Sequence, residues 1–305
     1  MRDDWRQREQ HVGIFAVSWS LVAGMASAAV AAACFDGGLA LQALDARAQP
    51  QSDTLRPRLL VRLARRRRWL AGTALAIGGW PFHVLALTLA PLTVVQPTLA
   101  LGLILLLYLG HRLLREPVGT PEIAAVLGLV AGVALLAWAA PPETSHHAGA
   151  GRLVLGLVPL AALALLPIAA ERVGGVPGGL MPLAAGAAYA FTGISTKLLV
   201  DALRSGYVAG MVLWSAATAV LGFAGLLLEM SALQKRPATH VGPLVFVVQV
   251  AVPVLVAPLL GGESWSHTPL GGGVIVAALA AVVASAITLT RSPAVAAFTD
   301  QAGQR

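Results

Sequence analysis

Cysteine and charge are scarce in this sequence, and each scarcity excludes a class of protein. Cys34 is the single cysteine, so the sequence offers neither an internal disulfide nor a paired-thiol metal site. Charged residues make up 11% of the chain and apolar residues 57%, against about 25% and about 45–50% in a soluble domain. So few charges cannot cover a water-exposed surface, and the composition therefore excludes an ordinary soluble domain.

Catalytic and metal-binding motifs are also missing. There is no P-loop, so we do not expect ATP to drive this protein directly, and there is no Ser-centred nucleophile motif. His146 and His147 lie side by side in a loop predicted on the outer side, where an exposed pair is usually incidental. We therefore expect neither an enzyme nor a cofactor. The strict polar–apolar alternation of a membrane barrel is absent as well.

Apolar residues come instead in blocks of about 18 residues or more, long enough to cross a hydrocarbon core of about 30 Å as helices. They predict an all-α integral membrane protein with about nine transmembrane helices, and the Gly/Pro-rich stretch 173–182 leaves a tenth open. The flank of the first block has no net positive charge, so we expect a retained helix rather than a cleaved signal. The predicted spans are 12–34, 69–89, 91–110, 119–140, 151–170, 178–201, 207–230, 240–260 and 269–290.

One seven-residue pattern, P-x-T-x-V-x-P, occurs twice, 146 residues apart (237 − 91). The match extends to Ala86-Leu87 and Ala232-Leu233, and each copy opens an apolar run that closes on an acid, Glu116 or Glu263. The pattern therefore predicts two halves built on one template. Its residues are Pro91, Thr93, Val95 and Pro97 in the first copy, and Pro237, Thr239, Val241 and Pro243 in the second.

The position of the two copies predicts how the halves are oriented. The first copy precedes the third helix and the second precedes the eighth, and an odd displacement reverses the chain direction, so the repeat is inverted. Inverted repeats are typical of secondary transporters, whose substrate site lies where the halves meet. We expect a first repeat over 1–142 (helices 1–4, with a cytoplasmic Arg-rich loop at 35–68), helix 5 and a second repeat over 151–291, and a disordered cytoplasmic tail over 292–305.

Most of the 21 Lys and Arg residues fall on one side of these spans, with a cluster at Arg65–Arg68. The positive-inside rule places that side in the cytoplasm, with the N-terminus outside and the C-terminus inside. Because the cluster abuts a membrane span, we expect it to contact anionic lipids and not nucleic acid. Arg greatly outnumbers Lys, and Ala and Gly are abundant. This usage indicates a GC-rich bacterial source, and hence a bacterial plasma membrane.

Polar residues inside the predicted spans are the candidates for substrate binding or gating, because ionisable groups are costly in a bilayer. His83 and Glu229 occupy equivalent repeat positions and are expected towards opposite faces. Lys197 and Asp201 share a helix face, where an interfacial anchor is the alternative role. The other candidates are Gln96 and Gln249, which lie near the motif prolines, and Trp80, which could stack on a flat or cationic substrate.

Prolines are expected to shape the helices that carry these residues. Pro97 and Pro243 are predicted in the first turn of their helices, where the missing N–H costs little. Four other prolines lie deeper and are expected to kink their helices, although ordinary packing kinks are the alternative. These are Pro81, Pro159, Pro253 and Pro258.

The chain resembles the drug/metabolite transporter superfamily, which includes the EamA-like permeases, and is most similar to its nine-helix branch with the NIPA-type magnesium transporters. This resemblance implies a membrane transporter. In the magnesium-transporter pattern, however, an acid and an Asn stand where this chain has Trp80 and His83, so magnesium is not implied. The residues that carry the resemblance are Trp69, Gly72, Gly79, Ala90, Pro91, Val95, Pro97, Glu116, Gly128, Gly132, Ala140 and Pro141, and then 239–243 and 262–265.

Our leading hypothesis is a secondary transporter that moves a small organic solute by alternating access. The first alternative is a divalent-cation permease. The second is a non-transporting membrane partner or an enzyme without a recognisable motif. A polar cavity around His83, Gln96 and Gln249 would favour the solute transporter. An acid-lined cavity would favour the cation permease, and a close-packed interior would favour the partner protein. The sequence leaves open the substrate, the transport direction, the coupling ion and the oligomeric state, a homodimer included.

The predicted topology can be tested by cysteine labelling. In a Cys34→Ala background, Arg66→Cys should react with a membrane-impermeant maleimide only from the cytoplasmic side, because the Arg-rich segment is expected there. Labelling from outside the cell would reverse the predicted topology. The antiparallel relation of the repeats would survive, since it depends only on the number of helices between the two motifs.

Overall fold

The computed structural model describes residues 19–139, 149–171, 177, 179–261 and 268–291. This part of the chain contains eleven α-helices, two short 3-10 turns (Gln51–Asp53 and Pro269–Gly272) and no strand. The helices are α1 (Trp19–Arg47), α2 (Pro57–Leu63), α3 (Arg67–Leu89), α4 (Leu92–Ala100), α5 (Gly102–Arg112), α6 (Thr120–Ala139), α7 (Ala150–Ala170), α8 (Leu180–Ser205), α9 (Val208–Lys235), α10 (Ala238–Gly261) and α11 (Gly273–Thr290).

Nine helical stretches among the described residues are long and apolar enough to cross a membrane. Helices α4 and α5 together form one of them, Val94–Arg112, and the short α2 is not among them. Large apolar side chains such as Trp138, Leu166 and Val212 are exposed on the outer faces. The prediction of an all-α chain with about nine spans is therefore confirmed by helix length and composition.

Helix α1 continues well beyond the predicted first span, 12–34. It reaches Arg47 and contains two buried acids, Asp36 near its middle and Asp45 in its last turn. The Asp45 carboxylate accepts the backbone N–H of Trp69 at 2.9 Å, in the first turn of α3. Because a buried carboxylate is tolerated when it accepts such a bond, acids do not end this helix. The predicted loop 35–68 begins only at residue 48.

The segment between α1 and α3 folds back onto the end of α9. Leu59 and Leu63 of α2 are fully buried. The hydroxyl of Thr54 lies 3.1 Å from Oε1 of Gln234, and the N–H of Leu55 donates to the Ser231 hydroxyl at 3.0 Å. The four arginines Arg65–Arg68 remain exposed. The segment is thus partly folded and presents its charges outwards.

Hydrogen bonds show which helix ends meet at this side of the molecule, which we call the Arg-rich end. It contains the ends of α1, α5 and α9 and the starts of α3 and α10. Glu116, just after α5, bonds to the first residues of α10, and Asp45 near the end of α1 bonds to the start of α3. Helix α5 therefore ends where α10 begins, so the two run in opposite directions.

The prediction for Pro97 and Pro243 is wrong, because each proline lies five residues beyond the first residue of its helix. Helix α4 begins directly after Pro91, and α10 directly after Pro237. Pro97 and Pro243 are consequently the sixth residues of their helices, in the second turn. The two starts have the same hydrogen bond, since Val95 N–H donates to Pro91 O at 3.1 Å and Val241 N–H to Pro237 O at 3.0 Å.

Two glycines allow close contact between paired helices, α1 with α3 and α8 with α9. A Cβ on Gly79 would lie 2.8 Å from Cβ of Cys34 and 3.0 Å from the Phe35 ring. A Cβ on Gly225 would lie 2.8 Å from the Tyr189 ring. Gly79 and Gly225 have the same separation in sequence as the two motifs. Helix pairs within a membrane often approach through such small residues.

Adjacent glycines in α3 provide a matched test of this packing. Gly79→Ala should lower the free energy of unfolding by about 1–3 kcal/mol, because the new methyl group overlaps α1. Gly78→Ala meets nothing within 4 Å and should be stabilising by up to about 1 kcal/mol, since alanine loses less backbone entropy. Thermal unfolding in detergent measures both variants. Equal effects would contradict the described α1–α3 contact.

Candidate functional site

Asp36 lies near the middle of α1 and is 8% exposed. A Cβ added to Gly102, at the start of α5, would collide with the Asp36 Oδ2 atom. Glycine at position 102 therefore makes room for the carboxyl group. Within the described residues Asp36 takes part in no hydrogen bond. A buried acid without a donor is costly in an apolar helix bundle, and such residues are commonly functional.

Glu229 on α9 is the second acid of this region. Its Oε2 accepts the Tyr189 hydroxyl of α8 at 2.8 Å, and its side chain is partly buried. Asp36 and Glu229 lie close enough for their charges to interact. Helices α1 and α9 are in contact, so one acid comes from each predicted half. We call Asp36, Tyr189 and Glu229 the acid pair site.

Sequence reasoning named Glu229 but missed Asp36 and Tyr189. Asp36 is not among the predicted residues, because the predicted first span ends at residue 34. The signal that could have found it is the run of small and apolar residues from Gly37 to Leu41, which continues the helix beyond the acid. Tyr189 has no such signal, because an aromatic residue in an apolar span is usually a packing residue.

His83 occupies the position in α3 that corresponds to Glu229 in α9. Its ring makes an edge-to-face contact with Phe35, with centroids 6.1 Å apart. Its Nε2 atom is buried and finds no hydrogen-bond partner in the described part of the chain. His83 of α3 thus contacts an aromatic residue of α1, Phe35. Glu229 of α9 accepts a hydrogen bond from an aromatic residue of α8, Tyr189.

The remaining candidates are Trp80, Gln249, Lys197 and Gln96. Trp80 is 65% exposed. Gln249 and Lys197 are exposed and Gln96 is partly buried. None of these four hydrogen-bonds to Asp36, Tyr189 or Glu229. The residues predicted to line a polar cavity are therefore not the ones that the structure groups around the acids.

The second motif lies at a charged junction at the Arg-rich end. Glu116 accepts the N–H groups of Ala238 and Thr239 and forms an ion pair with Arg47. Burial lowers the pKa of the nearby Arg236 guanidinium. Val95 and Val241 of the two motifs are fully buried, as is the Thr239 side chain. The Thr93 side chain lies outside the described residues, as do Glu263, His146, His147 and the tail.

The acid pair site does not resemble a preformed metal site. Among the described residues, no three His, Cys, Asp or Glu side chains gather where one ion could bind them. A hard divalent cation prefers about six oxygen ligands, whereas this site offers two carboxyl groups and a phenol. A cation bound here would have to keep several of its own water molecules.

Comparison with known proteins gives no relative. No protein-family model, no curated protein and no solved structure matches the chain. The function therefore has to be argued from the residues themselves.

The bond between Tyr189 and Glu229 can be tested by substitution. Tyr189→Phe should lower the free energy of unfolding by about 1–3 kcal/mol, because it removes the hydroxyl donor of a partly buried carboxyl group. Tyr207→Phe removes an exposed hydroxyl and should change stability by less than about 0.5 kcal/mol. Unfolding in detergent gives both values. In a Glu229→Gln background the effect of Tyr189→Phe should shrink, and an unchanged effect would argue against the bond.

Proposed function

We propose that the protein is a secondary membrane transporter of the drug/metabolite transporter type, which moves a small solute by alternating access. The observation that carries this proposal is the acid pair site, with Asp36 on α1 and Glu229 on α9. Both acids lie in helices long and apolar enough to span a bilayer. Because ionisable groups there are costly, those that persist usually mark a substrate or ion pathway.

An inverted repeat is the second element of the proposal, and matching contacts in the two halves support it. The two motifs start α4 and α10 with the same hydrogen bond. Gly79 and Gly225 pack against Phe35 and Tyr189 in equivalent ways. With α5 ending where α10 begins, the halves would be antiparallel. This is the arrangement in which one site can face either side of a membrane.

The location of the acids supports a substrate site between the halves. Asp36 comes from the first helix of one half, and Glu229 from the second helix of the other. A relative movement of the halves would change the distance between the two carboxyl groups. Their affinity for a bound solute would then differ between the two states, which is what alternating access requires.

A divalent-cation permease is the second candidate, and the two acids favour it specifically. Against it stands the lack of a third ligand for a metal among the described residues. A non-transporting partner protein is less consistent with Asp36, since a close-packed scaffold gains nothing from a buried acid without a donor. An enzyme is not proposed, because no catalytic motif occurs in the sequence.

The proposal places the protein in a bacterial plasma membrane, with the N-terminus outside and the C-terminus in the cytoplasm. The Arg-rich end would face the cytoplasm. The exposed residues Arg65–Arg68 lie beside the start of α3, where they could contact the headgroups of anionic lipids.

Ligand-induced stabilisation tests the proposed function. The purified protein is heated with Mg²⁺, Mn²⁺, amino acids, nucleosides, amines or cationic drugs. A ligand at about 100 times its dissociation constant should stabilise the folded state by about 2.7 kcal/mol. Asp36→Asn and Glu229→Gln should each weaken binding at least about tenfold, the effect of losing a charged hydrogen-bonding group. Uptake into proteoliposomes then checks that the ligand is transported.

Asp53→Asn is the matched control, because it removes a buried acid, paired with Arg62, from the segment between α1 and α3 and outside the spans. It should leave ligand binding unchanged. A ligand that binds Asp36→Asn and Glu229→Gln as tightly as the parent would contradict the proposed site. Stabilisation by Mg²⁺ alone would favour the cation permease, and no stabilisation by any of these ligands would favour the non-transporting partner.

A further inference from the structure

The geometry points to Glu116 and Arg47 as positioning residues that hold the Arg-rich end of the transporter closed. Together with Ala238 and Thr239 at the start of α10, they form what we call the latch. The inference deepens the proposed function and rests on it, because it assumes that the two halves separate at this end during transport. It concerns residues outside the acid pair site.

Glu116 connects groups from three helices. Its Oε1 atom accepts the N–H of Ala238 at 2.6 Å and forms an ion pair with Arg47 at the end of α1. Its Oε2 atom accepts the N–H of Thr239 at 2.9 Å. Glu116 is 2% exposed. Both carboxylate oxygens are therefore occupied, and the two bonds to α10 are buried, whereas the Arg47 side chain is 16% exposed.

The turn after α5 fixes Glu116 in this position. Arg115 has a left-handed backbone, with φ of 53°, a conformation that is unfavourable for a residue other than glycine. The N–H of Glu116 then donates to the carbonyl of Gly110 at 2.9 Å. A Cβ on Gly110 would collide with the Thr239 side chain. The end of α5 is thus shaped to bring Glu116 against the start of α10.

The electrostatics make the latch strong but reversible. The first N–H groups of a helix carry a partial positive charge and bind anions, and Arg47 adds a full positive charge to the same carboxylate. Bonds of this kind are about twice as strong as neutral ones. Since Glu116 belongs to the first half and α10 to the second, breaking the bonds to Ala238 and Thr239 would weaken the contact between the halves at this end.

The latch predicts that losing the charge of Glu116 exposes the α5–α10 interface from one side only. Leu106 is a suitable reporter, because it is fully buried and lies against Gly242 of α10. It precedes the end of α5 by six residues, about 9 Å at 1.5 Å per residue. A cysteine there can react only when α5 and α10 move apart.

The experiment uses Leu106→Cys in a Cys34→Ala background, in right-side-out and inverted membrane vesicles, with a membrane-impermeant maleimide. Arg66→Cys identifies the vesicles in which the Arg-rich end faces the reagent. In these vesicles Glu116→Gln should raise the labelling rate about tenfold, the change expected when one charge-assisted bond is weakened. Labelling from the other side should not increase.

Asp45→Asn is the matched control. Asp45 also caps a buried helix start with its carboxylate, but its partner Trp69 lies in the same half. It should destabilise the fold without raising the labelling of Leu106→Cys. Equal labelling of the Glu116→Gln variant and the parent would overturn the latch. So would an equal rise for Asp45→Asn, because Glu116 would then only stabilise the fold.

A second variant and a comparison with transport separate the possible outcomes of the labelling experiment. If Glu116→Gln does not fold, Arg47→Gln replaces it; this variant keeps the bonds from α10 to Glu116 and should give a smaller rise from the same side. Labelling needs no substrate, so the latch is tested separately from transport. A parent protein that binds and transports none of the solutes, while Glu116→Gln still exposes position 106, would refute the proposed transport and retain the latch.

Discussion

Backbone N–H groups at the start of a buried helix need an acceptor, because no water reaches them in an apolar bundle. The described structure meets this requirement at the Arg-rich end with carboxylates. Glu116 accepts the first N–H groups of α10, and Asp45 accepts that of Trp69 in α3. These bonds join helices that are far apart in sequence. The arrangement of the whole end depends on them, since without an acceptor α10 could not begin in the interior.

Glycine provides the complementary constraint further along the helices. Membrane helices gain little from burying apolar surface against each other, and close contact has to replace that driving force. Gly79 and Gly225 allow α3 and α9 to touch the aromatic residues Phe35 and Tyr189. In the same way, the missing side chain of Gly102 in α5 leaves space for the Asp36 carboxyl group of α1. Glycines therefore permit both the close packing of the helices and the burial of Asp36 in the acid pair site.

The candidate site was only partly predictable from the sequence. Glu229 stands out because an acid in an apolar span is rare, and the structure gives it a partner in Tyr189. Asp36 is not predicted, because a charged residue directly after an apolar block is the usual sign that a span ends. Trp80 is a candidate by its chemistry, and its side chain is largely exposed. Sequence patterns tell which residues are unusual, but they do not tell which way a side chain points.

By itself the sequence determined the helical class, the number of apolar spans and the repeated motif, because these depend on local composition and on spacing along the chain. Tertiary structure alone decided where α1 ends, that Pro97 lies in the second turn of α4, and that Asp36 lies near Glu229. Each of these depends on contacts between residues distant in sequence. An acid such as Asp36 is compatible with a helix only when a neighbouring helix leaves room for it, and that room is a property of the packed bundle.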